Sequence, residues 1–234
     1  MPKTVALLQS NYLPWKGYFD IVGMADVFVF HDDLRYTEQD WRNRNRIKTS
    51  GGTKWLTVPC SPQEHRTIDE VTLRDHTWQR KHWRRIEASY RRAPFFDRYA
   101  AFFEDVYLKR RWENLSELNR YLIAHICREY LGIQTVFDDT RRYGLVERKA
   151  ARVMELLERV GATEYLSGPA GKDYLDEREF ERRGIALTWM DYAGYPEYEQ
   201  LYPPFEHHVS IIDLLFSTGP DATRYMKIGS PRTP

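Results

Sequence analysis

The sequence has few cysteines, no long apolar run and almost no net charge, and each shortage narrows what the chain can be. Cys60 and Cys127 are its only cysteines. They lie far apart and outside any metal-like spacing, so neither a disulfide framework nor a cysteine metal site is expected. No run approaches the length of a membrane span. The chain enters a strand-like run within a few residues of Met1, which leaves no room for a signal peptide and makes a cytoplasmic location the expectation. The 35 basic residues nearly balance the 34 acidic ones. That argues against a dedicated nucleic-acid binder, although a local basic face remains compatible with it. GxGxxG and Walker patterns are missing, so no standard phosphate loop is expected. There is no internal repeat and no low-complexity segment.

What the chain does have is length and aromatic rings. At 234 residues with 15% aromatics, including 16 Tyr and 7 Trp, it can bury a sizeable core and line clefts with large amphipathic side chains. The apolar run Thr4 to Leu8 ends in the polar turn Gln9-Ser10-Asn11-Tyr12-Leu13-Pro14-Trp15-Lys16. A short helix over about 16–25 and a second apolar run, Val27 to Phe30, follow, and the run ends in His31-Asp32-Asp33. Strand, turn, helix, strand, turn is the pattern of a βαβ unit. Ligands collect at the carboxyl ends of such strands.

Further along, the spacing predicts a hairpin over Arg44–Thr49 and Thr53–Val58, a short strand over Glu70–Leu73, and three helices between about residues 77 and 131. Beta–alpha alternation then resumes: strand 134–138, helix 145–160, strand Thr163–Ser167, helix 176–183 and strand Ile185–Met190. Ser210 is placed to cap a last short helix. The fold class expected is α/β: one domain with a mostly parallel, Rossmann-like sheet, a helical insertion over about 77–131 and a β-hairpin.

Several residues can carry chemistry. Gln9 and Asn11 at a strand end can hold a carbonyl or ribose, and Lys16, at a helix start, can meet a phosphate. His31, Asp32 and Asp33 form a base-and-carboxylate group, or simply cap a turn; no third metal ligand accompanies them, so no metal is assigned. Period two places Arg42, Arg44 and Arg46 on one strand face and Asn43 and Asn45 on the other. An arginine face suits phosphates or carboxylates; a charged edge strand is the plainer alternative. The basic helix with His82, Arg84, Arg85, Arg91 and Arg92 could bind a tRNA backbone, but a solvated helix surface explains it as well and is the preferred reading. Ser167-Gly168 begins a turn at another strand end. Cys60 reads as a buried, inert thiol.

Taken together, these motifs resemble the WbqC-like family of bacterial proteins. The resemblance lies in Gln9-Ser10-Asn11-Tyr12-Leu13-Pro14 with Gly17-Tyr18-Phe19, in Asp32-Asp33 with Tyr36, and in Trp41-Arg42-Asn43-Arg44-Asn45-Arg46-Ile47. It continues in Thr57-Val58-Pro59, Ser167-Gly168 with Tyr174-Leu175, and Ser210-Ile211-Ile212-Asp213. Ser10 stands where the family pattern has proline, which predicts a more flexible turn but keeps Gln9. The resemblance implies a transferase of O-antigen or related polysaccharide biosynthesis, moving an acyl or aminoacyl group, such as glycyl, onto an amino sugar. His31, Asp32 and Asp33 are then the expected catalytic group. Substrate binding falls to Gln9, Asn11, Tyr12, Lys16, Tyr36, Trp41, Arg42, Asn43, Arg44, Asn45, Arg46, Ser167 and Gly168. The expected partner is a small molecule with a phosphate or carboxylate, and aminoacyl-tRNA is a further candidate. No cofactor is named by the sequence, and no membrane partner is expected. A non-catalytic scaffold and a nucleotide-dependent ligase are the competing readings.

Overall fold

The computed structural model describes residues 2–62 and 66–229. In chain order the elements are β1 (Thr4–Leu8), α1 (Lys16–Met24), β2 (Val27–Phe30), the hairpin β3 (Arg44–Thr49) and β4 (Gly52–Thr57), α2 (Thr77–Tyr90), α3 (Phe96–Glu104) and α4 (Leu115–His125). Then come β5 (Val136–Asp139), α5 (Lys149–Val160), β6 (Glu164–Ser167), α6 (Glu177–Arg183), β7 (Ala186–Trp189) and α7 (Ile211–Thr218). Five strands form one parallel sheet in the order β5-β2-β1-β6-β7, and β3-β4 stand apart as the antiparallel pair. The expected α/β class, parallel sheet, hairpin and helical insertion are all present. No helix among the described residues is long and apolar enough to cross a membrane.

The strands read as continuous apolar runs because both faces of the sheet are covered. Val5, Leu7, Val27, Val29 and Tyr165 pack against α5 and α6 on one face, with Leu156, Leu157 and Phe180. Ala6, Phe28, Phe30 and Leu166 enter the larger core on the other face, with Phe19, Trp83, Leu118 and Phe216. Each large side chain withdrawn from water contributes about 1.5–3 kcal/mol. The helical middle section shares this second core. Phe216 of α7 meets the rings of Tyr90, Phe96 and Phe103, while buried Asp213 accepts the hydroxyls of Tyr90 at 2.9 Å and Tyr198 at 2.8 Å.

Two expected boundaries move for local reasons. Glu70–Leu73 is not a strand. A capping box between Thr67 and Glu70 coils Ile68–Glu70 into one 3-10 turn, and only single bridges, Cys60 to Leu73 and Thr72 to Asn114, follow. The helix expected from residue 145 begins at Lys149, because the Glu155 carboxylate takes the amide protons of Val146 and Glu147, each at 3.0 Å.

Sheet order sets the location of the site. The chain leaves β1 in one direction to β2 and β5, then returns to the other side of β1 for β6 and β7. This reversal is the switch point where open parallel sheets bind ligands beyond the strand ends. The turn that leaves β1 is held under strain. Leu13, just before Pro14, has φ of 43°, a left-handed conformation costly for a branched side chain. Asn45 of the hairpin stabilises it by donating Nδ2–H to the carbonyls of Leu13 at 2.8 Å and Tyr12 at 3.3 Å. Tyr12 is wholly buried. Its hydroxyl bonds to Tyr107 and, at 2.8 Å, to His82 Nδ1. His82 Nε2 lies 3.2 Å from the Thr57 carbonyl. A carbonyl can only accept, so the His82 proton sits on Nε2 and Nδ1 accepts from Tyr12. His82 therefore belongs to the interior face of α2, not to its basic face, and burial lowers its imidazole to about 3.

Two outcomes follow. Replacing Asn45→Ala unpins the Leu13 turn and lowers unfolding free energy by about 2 kcal/mol, measured by urea denaturation. The second concerns acid. Folded His82 and His31 stay neutral down to about 3 and about 4, whereas unfolded histidines protonate below about 6.5. Stability is thus full above pH 6.5 and falls as pH drops toward 4, by about 2 kcal/mol per histidine at pH 5. Thermal melts between pH 7.5 and 5 check this, and His82→Gln is expected to reduce the loss by about half.

Candidate functional site

Beyond the ends of β1 and β2 lies a cavity of about 400 Å³. Gln9 enters from the end of β1, His31 from the end of β2, and Lys149 and Arg152 from the first turn of α5, with Leu8, Leu34, Val153, Tyr165 and Tyr174 as apolar walls. A helix that follows a parallel strand starts at the carboxyl edge of the sheet, which is why α5 delivers its first two cations there. Lys149 opens the helix at φ of 54° and pairs with no carboxylate among the described residues. The dipole of α5 adds to its charge and that of Arg152.

Arg152 organises the cavity. Its Nε donates to His31 Nε2 at 3.2 Å, its Nη2 pairs with Asp33, and its Nη1 donates to the Leu145 carbonyl at 3.2 Å. Asp33 also accepts from Thr140 Oγ1 at 2.7 Å. An arginine is always a donor, so His31 Nε2 must be the acceptor and its proton sits on Nδ1. Burial, reinforced by the Arg152 charge and opposed by Asp33, lowers His31 to about 4. The ring is neutral near pH 7, presenting an N–H rather than a lone pair.

Asp32 has another position. It is wholly enclosed. One carboxylate oxygen accepts the Ser10 amide at 2.7 Å; the other accepts Ser116 Oγ and, at 2.9 Å, Arg120 Nε. Arg120 also pairs with Asp139 at the end of β5. Asp32 thus ties β1, β2 and α4 together and lies outside the cavity. The Ser10 amide makes a bond that proline could not, so the turn is pinned here and not loosened.

On the other side of the same turn is a second cavity of about 400 Å³, which Asn11, Trp15, Trp41, Asn45, Arg46 and His208 line. An adjoining hollow of about 390 Å³ has Trp41 and Arg46 in common with it and adds Asp40, Arg44 and Trp55. Trp15 lies over α1 because Gly17 leaves room: a Cβ there would come within 2.4 Å of the indole. The expected alternation holds in β3. Asn43 and Asn45 are buried while Arg44 and Arg46 are partly open. Arg42 precedes the strand and pairs with Asp40 at 2.6 Å. Asn43 donates to the Val58 carbonyl at 3.0 Å. Arg44 lies 4.3 Å over the Trp55 ring, and Arg46 donates to the His208 carbonyl at 3.0 Å.

Other expected binding residues are elsewhere. Lys16 lines neither cavity. It is buried, with Nζ 3.3 Å from the Pro196 carbonyl and 4.6 Å from the Tyr195 ring centre, and burial lowers it to about 8 against the pull of Asp20 and Asp213. Tyr12 is a core residue. Tyr36 is buried beside Cys60, with Arg66 over its ring at 5.2 Å, and burial pushes the Cys60 thiol up. Ser167 is buried at the end of β6, its hydroxyl 3.3 Å from the Gly168 carbonyl, and Gly168 packs near Tyr192 and Ile21.

His208, one of two histidines just before Ser210 that the sequence places within reach of a cleft, does line one, whereas sequence reasoning missed Lys149, Arg152, Trp15 and Trp55. Lys149 and Arg152 carried a signal: two cations one turn apart at the start of an amphipathic helix that follows a strand. Trp55 carried none, since only the tertiary fold brings it beside Trp41.

The family profile of the WbqC-like protein family matches residues 9–225. The match spans every cavity residue named above from Gln9 to His208. The uncharacterized protein Rv1507c of Mycobacterium tuberculosis is 45% identical over 227 residues, which is 96% of this chain and 98% of that protein. No solved structure matches. A profile match across nearly the whole chain, in a fold whose strand-end turns carry the family's motifs, shows that the chain belongs to the WbqC-like protein family.

Proposed function

We propose that the chain is a transferase that moves an acyl or aminoacyl group, of about glycyl size, from an activated donor to an amino group on a sugar-like acceptor. The observation that carries this reading is the convergence of Gln9, His31, Lys149 and Arg152 on one cavity at the switch point of the sheet. Lys149 and Arg152 receive the phosphate or carboxylate of the donor, Arg152 with its planar fork. Asp33 and Thr140 position Arg152. The apolar walls exclude water from the reacting carbonyl, and the polar groups acquire strength in that drier space.

The role of His31 in this reading differs from the base expected from the sequence. An imidazole lowered to about 4 is too weak a base to deprotonate an amine near pH 7. Its Nδ1–H, like the Gln9 amide, is suited to donate to the carbonyl oxygen as negative charge develops there. A neutral amine attacks the carbon, the amide bond forms, the bond to the leaving group breaks, and the ammonium proton passes to the departing anion. Asp32 acts indirectly, by holding the Ser10 and His31 backbones in place.

The test is ligand-dependent stabilisation. Acyl phosphates, coenzyme A thioesters, ATP and nucleotide sugars are offered singly while the melting temperature is read. A ligand at 100 times its dissociation constant adds about 2.7 kcal/mol, a shift of roughly 5–10 °C at this chain length. One class is expected to produce it, and the Lys149→Met/Arg152→Met double variant is expected to abolish it. No shift with any class, or an undiminished shift in the double variant, refutes the donor cavity and leaves the scaffold reading. Pyrophosphate release from ATP would mark a ligase instead. With a substrate in hand, His31→Ala is expected to lower kcat about 10²–10³-fold with little change in KM.

A further inference from the structure

The donor cavity leaves one conspicuous surface unused. Trp41 and Trp55 are 43% and 39% exposed, and their ring centres are 5.6 Å apart. Large rings are seldom left in water without a partner, least of all side by side. Arg44 lies 4.3 Å over Trp55 and Arg46 lies 5.7 Å from it. The Nε of each is buried and makes no hydrogen bond among the described residues. The one carboxylate in this hollow, Asp40, is occupied by Arg42, the Trp41 amide and Thr37.

A basic helix continues the surface. Arg85 of α2 donates to the Trp55 carbonyl at 3.1 Å, which joins the helix to the aromatic pair. Arg80, Lys81, Arg84 and Arg85 are exposed, and none forms an ion pair among the described residues. Residues 41–62 contain no Asp or Glu, and Glu87 is the only one in α2. A chain with nearly balanced charge has therefore concentrated cations around two open indoles.

We infer that this surface, made by Trp41, Trp55, Arg44, Arg46 and the outer face of α2, binds single-stranded nucleic acid. Unstacked bases lie on the indoles and phosphates meet the arginines and Lys81. The combination matches what such a ligand needs: π-faces that accept any base, and a cationic track for the backbone. A duplex hides its bases and meets only the charge. A neutral sugar could stack on an indole but would leave the cations without a counterpart. A flat anionic membrane would meet the charge, but here the indoles sit in hollows beside arginines. The inference is independent of the donor cavity, which involves none of these residues.

The test uses the whole chain and a labelled oligouridine or oligothymidine of about a dozen nucleotides, followed by anisotropy and tryptophan quenching. Binding in the range of about 10⁻⁴–10⁻⁶ M is expected at moderate salt, weakening as salt rises. Trp41→Ala and Trp55→Ala are each expected to weaken it about 5–100-fold. Arg84→Glu with Arg85→Glu is expected to weaken it and to flatten the salt slope by about 0.7 for each phosphate no longer bound. Both tryptophans are partly exposed, and an unchanged melting temperature verifies that each variant is folded. The inference is overturned if neither strand binds more tightly than about 10⁻⁴ M. It is also overturned if the tryptophan variants bind like the wild type, if duplex binds as tightly as single strands, or if anionic vesicles bind and oligonucleotides do not.

Discussion

The buried carboxylate of Asp32 is the constraint on which the geometry of the strand ends depends. It sits at zero exposure with a backbone amide, a hydroxyl and a guanidinium for partners. A charge taken out of water is costly unless every lone pair is met, and removing one partner of a buried pair costs roughly 3–5 kcal/mol. The partners come from the β1 turn and α4, and Arg120 reaches on to Asp139 at the end of β5. This one group therefore fixes three strand ends and a helix of the insertion at once. Gln9 is the neighbour of Ser10 and His31 is the neighbour of Asp32. The two groups that enter the cavity from the sheet are thus held by the network directly behind them, while the network itself does not line the cavity.

A second electrostatic balance lies in front of it. Arg152 is shared between His31 and Asp33, so the guanidinium is oriented before a ligand arrives and part of its charge is already offset. Lys149 beside it has no such partner among the described residues. An incoming anion would find one pre-oriented fork and one unspent point charge, a division of labour that follows from the chemistry of the two side chains. Burial keeps the imidazole neutral, and the same guanidinium adds to this, since protonating His31 would set two cations 3.2 Å apart. Burial and Arg152 act in the same direction, and Asp33 only partly opposes them.

Most of the fold could be read from periodicity. The strand runs, the three helices of the insertion, the Ser210 cap and the hairpin all rest on local signals that tertiary context reinforces. The sites where reading failed are those where a side chain chose a distant partner. Lys16 has the right place for a phosphate ligand at a helix start, yet it turns to Pro196 and Tyr195, about 180 residues away in sequence. His82 sits among arginines in the sequence, but one helical face of α2 is interior, and the partner that decides its state is Tyr12 of another element. Asp32 and Asp33 are adjacent and chemically identical. One is sealed behind the sheet edge and the other faces Arg152, a difference set by strand alternation and by an α4 whose position no local pattern reveals.

The turn after β1 also divides the site. Alternation within a strand would send side chains two residues apart to the same side, but Gln9, Ser10 and Asn11 lie beyond Leu8, where β1 ends and the chain turns. Gln9 enters the cavity under α5, Asn11 enters the cavity beside the hairpin, and Ser10 between them is buried and bonded to Asp32. A three-residue step thus forms the partition between a cationic pocket and an aromatic, arginine-lined cleft. A one-residue slip of β1 would displace this step against its neighbours, so register must be secured on both sides. Pairing of Leu7 with Val29 and of Ala6 with Leu166 does this within the sheet, and the Asn45 bonds to Leu13 and Tyr12 do it just beyond. The strained Leu13 turn is therefore part of how the strand end is built: the chain turns away from the sheet sharply enough that Gln9 and Asn11 line different cavities while remaining two residues apart.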